Sequence, residues 1–515
     1  MVKDKGEMMS QQQSIIRGGW LLTGNNWLQG GAVVLEDERI AEIGHWRDIS
    51  VRYPGVPVYG TRHHMVIPGL INAHHHSSGI PQSLHGVRDD TLEPWLLATL
   101  GMRPEDPYLA AALSAARLLR SGVTSVVDMT VTGDAEEAYS DTAARLRAYR
   151  DAGIAAAVAP GMLQKSFLVS GDGEDERFLA SLPAALQRRV REQLSLTPGM
   201  TGGEYLQCIV SLAEEWNGAG LQQVWFGPPG PQWTEPELLR RIVDEAQNRD
   251  LRVQTHALES FHEKLEGLRS HGMGTIEWLH SLGVLGDRVT LAHSVWVTEQ
   301  EIQLLAETGT AVSHNPSSNL RLRAGTAPLN ALRAAGVPMA LGLDANGIND
   351  DDDMFTEMRM ALRLHRSPGM AAETPEPIDV FRMAAEGGAG LLGEGGRLGR
   401  LAAGYRGDVV LVDTRRMLRP WYEERIDPYS LLVTRGRAED VDSVWVAGSP
   451  AVRGGAVLGI DEEQCCEALT EQLRETPSPD RLRGVIDELK PYLSDWYRRW
   501  EEPALEPYTA FNSRT

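Results

Sequence analysis

The 515-residue chain carries 71 acidic against 50 basic side chains, a formal charge of −21, and 42% of its residues are hydrophobic. That balance excludes a nonspecific nucleic-acid binder, which needs clustered positive charge to displace counterions, while the apolar share is enough for a large core. Three cysteines, Cys208, Cys465 and Cys466, have neither metal-ligand spacing nor the pattern of a disulfide scaffold. The N-terminus opens with charges and then polar glutamines, without the apolar run of a secretory signal, and no stretch has the ~18 continuous apolar residues of a membrane span. The expectation is a cytoplasmic enzyme acting on a small molecule, with no nucleic-acid or membrane partner.

Residues 18–46 read as short strands broken by Gly and Asn turns, because their apolar runs are too brief for helices. The same texture returns at 407–413 (GDVVLVD) and 441–447 (VDSVWVA), so the two chain ends are expected to build one small β domain. Between them, strand and helix alternate. A helix at 107–120 precedes a strand at 123–128, another apolar run ends at 159, and a helix at 237–248 precedes LRVQTH at 251–256. VTLAH at 289–293 precedes a helix at 298–308, AVSH occupies 311–314, and a helix at 327–336 leads into VPMALGLD at 337–344. Apolar strands alternating with amphipathic helices indicate a parallel α/β fold, and their number favours a closed barrel over an open sheet. The predicted architecture is an α/β TIM-like (β/α)8 barrel with a small β-sandwich formed by both chain ends. Its expected boundaries are 1–66 for the N-terminal part of the sandwich, 67–397 for the barrel, 398–460 for the C-terminal part and 461–515 for an extension. WYRRW at 496–500 in that extension is read as a docking segment or an oligomer contact, and a homo-oligomer is expected.

Chemistry concentrates at predicted strand ends. In PGLINAHHHSSG at 68–79, alternate residues of an extended chain face one side, so His74 and His76 can bind one ion while His75 points elsewhere. His256, His293 and Asp344 each close another strand candidate. In a β/α barrel the carboxyl ends of different strands converge on one mouth, so residues distant in sequence can share a site. His74, His76, His256 and Asp344 are the predicted metal ligands; an imidazole and carboxylate shell suits Zn²⁺, with Fe²⁺ the alternative, rather than Ca²⁺ or Mg²⁺. Such a site lowers the pKa of bound water and makes hydrolysis the natural chemistry. Glu259 alone would read as a surface acid opening the next helix; beside a metal-activated water it becomes the leading proton shuttle. The acidic run Asp350–Asp353 reads as the solvated cap of a helix beginning near Met354, and His314 as a residue that lines the pocket without binding metal.

With these residues in place, the chain closely resembles the amidohydrolase superfamily, in its branch of aminohydrolases and chlorohydrolases acting on purine, pterin, triazine and related substrates. The resemblance rests on PGLINAHHH at 68–76, HGVRDDTLEPWL at 85–96, SGVTSVVDM at 121–129, HALE at 256–259, LAHSVWV at 291–297, SHNPSSN through ALGLDANG at 313–347 and GRLAAGYRGDVVLVD at 399–413. It covers roughly residues 18–450.

The resemblance implies one divalent metal held by His74 and His76 of strand one, His256 of strand five and Asp344 of strand eight. It makes Asp344 the general base, Glu259 the proton shuttle, and His293 the residue that polarises water and substrate. The implied function is hydrolytic deamination of an amino-substituted N-heterocycle, releasing ammonia through attack by metal-bound hydroxide. The alternative is hydrolysis of an amide, urea or carbamate-like C–N bond, or removal of a halide or substituted amine. One departure bears on specificity: FGPPGPQWTEPELL at 226–239 places Pro229 where nucleoside-acting relatives carry a histidine, and brings in Gln232 and Trp233.

Overall fold

The computed structural model describes residues 13–367, 369–370 and 374–500. The polar N-terminal opening and the Tyr- and Pro-containing end of the extension, residues 1–12 and 501–515, lie outside the described residues.

The alternating units fold into two four-stranded parallel sheets. In chain order the first sheet contains Leu70–His75, Val123–Val131, Ala155–Gly161 and Gln222–Val224; the second contains Val253–Ala257, Val289–His293, Ala311–His314 and Met339–Leu341. Two isolated parallel bridges, Phe226 to Val253 and His75 to Asp344, join their edges and close the barrel. Closure satisfies edge N–H and C=O groups that an open sheet would expose. The barrel interior is filled by small residues, including Ala73, Ala157, Ala159 and Ala340, around the fully buried Trp225.

Both chain ends build the second body, as expected. His64–Pro68 pairs antiparallel with Val409–Asp413 in a seven-stranded sheet, and Gln13–Arg17 lies inside a four-stranded one. Ile16, Leu21, Val33, Val66, Leu411 and Trp445 form one core of this body. It abuts the barrel where Arg406 pairs with Asp408 and donates to Ser125 Oγ at 2.8 Å.

The extension is helical: Glu462–Glu475 and Asp480–Arg498. The second helix packs against Leu92–Thr99, the helix that follows the first barrel strand, burying Leu489, Leu493 and Trp496 with Leu97, Leu168 and Phe178. Trp496–Trp500 is therefore an intramolecular docking segment. No helix of the described residues is long and apolar enough to cross a membrane.

Candidate metal centre

Strand pleating places the first donors. His74 and His76 point into the barrel mouth, where their Nε2 atoms lie 3.6 and 3.3 Å from Asp344 Oδ1. His75 points away, with Nδ1 on the Asp344 carbonyl at 2.6 Å and Nε2 on Ser114 Oγ at 2.7 Å. His256 is the penultimate residue of the fifth barrel strand, Val253–Ala257, and its Nε2 faces His76 Nε2 at 3.1 Å. His293 Nε2 is 3.6 Å from both Asp344 Oδ2 and Glu259 Oε2. All six residues singled out in the sequence thus converge at one mouth.

The opposite nitrogen of each ring is tied down. Nδ1 of His74 meets Gln254 Oε1 at 3.0 Å, that of His76 the Met129 carbonyl at 2.8 Å, that of His256 the Pro229 carbonyl at 2.6 Å, and that of His293 Asn319 Oδ1 at 2.9 Å. Each acceptor selects the tautomer with hydrogen on Nδ1 and leaves the Nε2 lone pair aimed at the centre, the arrangement in which imidazoles ligate metals. Four sequence-distant segments supply these acceptors. Gln254, two residues before His256, carries the legible signal, since it shares that strand's inward face; nothing in the sequence marks the carbonyl contacts.

Backbone strain gathers at the same place. Leu258, His293, Ser294 and Asp344 all have positive φ, at 51°, 74°, 48° and 58°. Such conformations cost about 1–3 kcal/mol each and persist where the surroundings impose them, commonly at functional sites. The turn at Asp344 is held by its N–H on the His74 carbonyl (2.9 Å) and by the Leu343 N–H on Asn72 Oδ1 (2.9 Å).

The donor set fits a metal ion. His74 Nε2 and His293 Nε2 are buried without a hydrogen-bond partner among the described residues, and the facing lone pairs of His76 and His256 repel unless a cation sits between them. Two donors each about 2.0–2.1 Å from a tetrahedral ion stand roughly 3.3 Å apart, matching the 3.1 and 3.3 Å separations here. The cluster joins His74, His256 and His293, His74, His76 and Asp344, and Glu259, His293 and Asp344 in overlapping sets of potential ligands.

Electrostatics agree. Burial lowers the pKa of His76, lowers that of His293 to about 4 and, with the neighbouring imidazoles, pushes His256 well down, so all three stay neutral. Burial would raise Asp344, but positive charge at the facing rings, His74 first and then His293 and His76, outweighs burial and holds the carboxyl well below its usual range; with the rings neutral, a cation bound between them would supply that charge. Glu259 moves the other way: burial first, then Asp344 and the acids Glu263 and Glu93, raise it well above the ordinary carboxyl value. Two carboxylates with opposed shifts share one centre, the pattern of an acid and a base.

The remaining candidates separate from this set. His314 is buried behind the site, its Nε2 2.9 Å from His365 Nε2, and does not reach the centre. Asp353 caps the helix Met354–Leu364 by accepting from the Phe355 and Thr356 N–H groups. Asp352 departs from the expectation of a solvated cap: it is fully buried and paired with Arg117 at 2.8 Å. In the 226–239 segment, Trp233 lines the cavity above the centre and Pro229 contributes its carbonyl to His256.

A sequence model of the amidohydrolase family matches residues 65–451. A 5'-deoxyadenosine deaminase of Methanothermobacter thermautotrophicus is 32% identical over 89% of this chain and 97% of its own. An 8-oxoguanine deaminase of Pseudomonas aeruginosa is also 32% identical, over 86% of this chain and 94% of its own. Among solved structures, a zinc-bound adenosine deaminase from Xanthomonas campestris superposes with a TM-score of 0.75 at 26% identity, covering 92% of this chain and 98% of that one. The zinc complex of an atrazine chlorohydrolase from Arthrobacter aurescens shares the fold, with a TM-score of 0.76 at 23% identity over 89% of this chain and 100% of that one. The chain belongs to the amidohydrolase family and is a hydrolase acting on carbon–nitrogen bonds.

Proposed function

We propose that this protein deaminates an amino-substituted N-heterocycle by hydrolysis, using one divalent ion, zinc, held by His74, His76, His256 and Asp344. The observation that carries the reading is the pairing of a neutral, Nδ1-anchored imidazole set with two buried carboxyls of opposite proton affinity. Deaminase activity in the names of relatives at 32% identity supports the same class. When bound, the ion would lower the pKa of a water ligand towards neutrality and so provide hydroxide at physiological pH.

The chain's own groups perform the proton transfers. Asp344, ionised, accepts the proton of the attacking water. Glu259, kept protonated by burial and by the negative charge of Asp344, donates to the ring nitrogen beside the attacked carbon. His293 Nε2 lies 3.6 Å from each of these carboxyls, so it can stabilise charge as it develops and pass a proton between them. Its Nδ1 bond to Asn319 holds the ring in that position. Asp344 then returns its proton to the departing amino group and Glu259 takes the proton of the adduct's hydroxyl, so that collapse of the tetrahedral adduct expels ammonia, restores both carboxyls and involves no covalent enzyme intermediate.

The deciding experiment incubates zinc-loaded protein with a panel of aminopurines, aminopterins, aminopyrimidines and aminotriazines, and assays ammonia. Stoichiometric ammonia and the corresponding oxo-heterocycle are expected. Release of an alkylamine or chloride, without ammonia from any member, would replace deamination with the amine- or halide-removing alternative.

A further inference from the structure

The centre opens into a cavity of about 440 Å³ with two chemically different ends. Polar groups gather at its floor: Glu259, Asp344, Arg145 and Thr130, whose buried hydroxyl has no partner among the described residues. The outer walls are apolar, with Trp95, Leu96 and Leu100 on one side and Phe167, Leu168 and Trp233 on others.

The carboxylate and hydroxyls of the wall already have partners within the protein: Thr99 Oγ1 donates to the Leu96 carbonyl at 2.7 Å and Ser166 Oγ to that of Gly171 at 3.4 Å. Glu93 accepts from Ser260 Oγ at 2.6 Å and meets His262 Nδ1 at 3.1 Å. The wall's last member comes from the C-terminal extension: Tyr497 packs at a tilt against His262, with ring centroids 4.6 Å apart and planes 39° apart. Its hydroxyl accepts from the Ser170 N–H at 2.9 Å and lies 3.3 Å from Ser170 Oγ. Tyr497 thereby latches the terminal helix to the 166–170 segment at the cavity's edge.

We infer that the C-terminal helix completes a substrate chamber selective for aminoheterocycles that carry an apolar substituent, aromatic or branched alkyl, rather than a polyhydroxylated sugar. This deepens the deaminase reading and rests on it. The polar floor takes the ring and its amino group, and the apolar wall takes the substituent. A sugar's hydroxyls would lose water there without gaining partners, because the nearby carboxylate and hydroxyls are engaged within the wall.

The test measures equilibrium binding by calorimetry on zinc-loaded Glu259→Gln protein, in which turnover is slowed. The ligands are adenine, benzyl-substituted adenine and adenosine, with melamine and benzylmelamine as a second matched pair. On at least one ring, the benzyl derivative should bind about tenfold or more tightly than the bare ring, the gain expected from burying most of a phenyl group, and benzyladenine should exceed adenosine. Tyr497→Ala should reduce the benzyl-to-bare ratio at least threefold. Leu100→Ser, at a residue already 48% exposed and so tolerant of substitution, should reduce it in the same direction.

Adenosine binding as tightly as benzyladenine, or a benzyl preference that survives in both variants, would overturn the inference and leave the deaminase reading standing. No binding by any of the five ligands would count against the heterocycle reading itself, and the inference would fall with it.

Discussion

At the scale of single residues, His256 carries a double obligation: its Nδ1 is fixed by the Pro229 carbonyl and its Nε2 faces His76. Replacing it with Ala removes one donor and leaves a gap beside His74. His256→Ala protein should therefore lose most of its zinc by elemental analysis and all measurable turnover; full metal content would remove His256 from the ligand set. Glu259 makes a contrasting prediction because its carboxyl lies 3.6 Å from His293 and is held protonated. Glu259→Gln should retain zinc while the single-turnover rate falls by about 10²–10⁴, the range for a general acid. The alternation that turns His75 away from His76 was legible, since a strand's period of two admits no other arrangement. The anchors Asn319 and Met129 were not, because a contact between segments far apart in sequence leaves no local pattern.

Elements divide in the same way. The helix Pro107–Arg120 and the strand Val289–His293 have the bounds the sequence indicates. In the first case Asp106 caps and Pro107 opens the helix, signals that act locally. The eighth barrel strand is shorter than its apolar run, Met339–Leu341 rather than 337–344, because the chain must turn through positive φ to bring Asp344 inward. Gly342 lies inside that turn: a Cβ there would stand 2.4 Å from Asn315 Oδ1 and 2.8 Å from the Cβ of His74. Gly342→Ala should accordingly displace His74, weakening zinc affinity at least tenfold in a chelator competition even though no ligand is altered.

The helix Met354–Leu364 carries a pH-sensitive element. Glu357 is buried, accepts the Ser317 N–H through Oε1 at 3.0 Å and leaves Oε2 unpartnered. Burial lifts its pKa from 4.5 to about 8. A carboxyl with a raised folded pKa keeps its proton on folding, so its stabilising contribution is complete below 4.5 and is lost as pH climbs through about 8. Glu357→Gln imitates the protonated group. The Tm of the native protein should fall relative to this variant from about pH 5 upward and level off above about pH 8; parallel Tm profiles would contradict the buried, protonated acid.

For the whole molecule, the extension joins two regions that the chain order keeps apart. The sequence marked WYRRW as a docking segment or an oligomer contact but not its destination, since an aromatic segment does not name its partner. The helix Asp480–Arg498 is built into a satellite core with Leu97, Leu168, Phe178 and Val190, separate from the main barrel core. Satellite cores of this kind open as units, at lower free energy than global unfolding. Leu489 is fully buried at its centre, so Leu489→Ala should cost about 2–5 kcal/mol within the unit. Hydrogen exchange followed by mass spectrometry should then show residues 168–190 and 480–498 accelerating together, while the strands Val253–Ala257 and Val289–His293 keep their native protection. Acceleration confined to 480–498 would show that the terminal helix rests on the cavity wall without holding it. Joint acceleration would mean that the integrity of the wall above the metal centre depends on the last helix of the described chain.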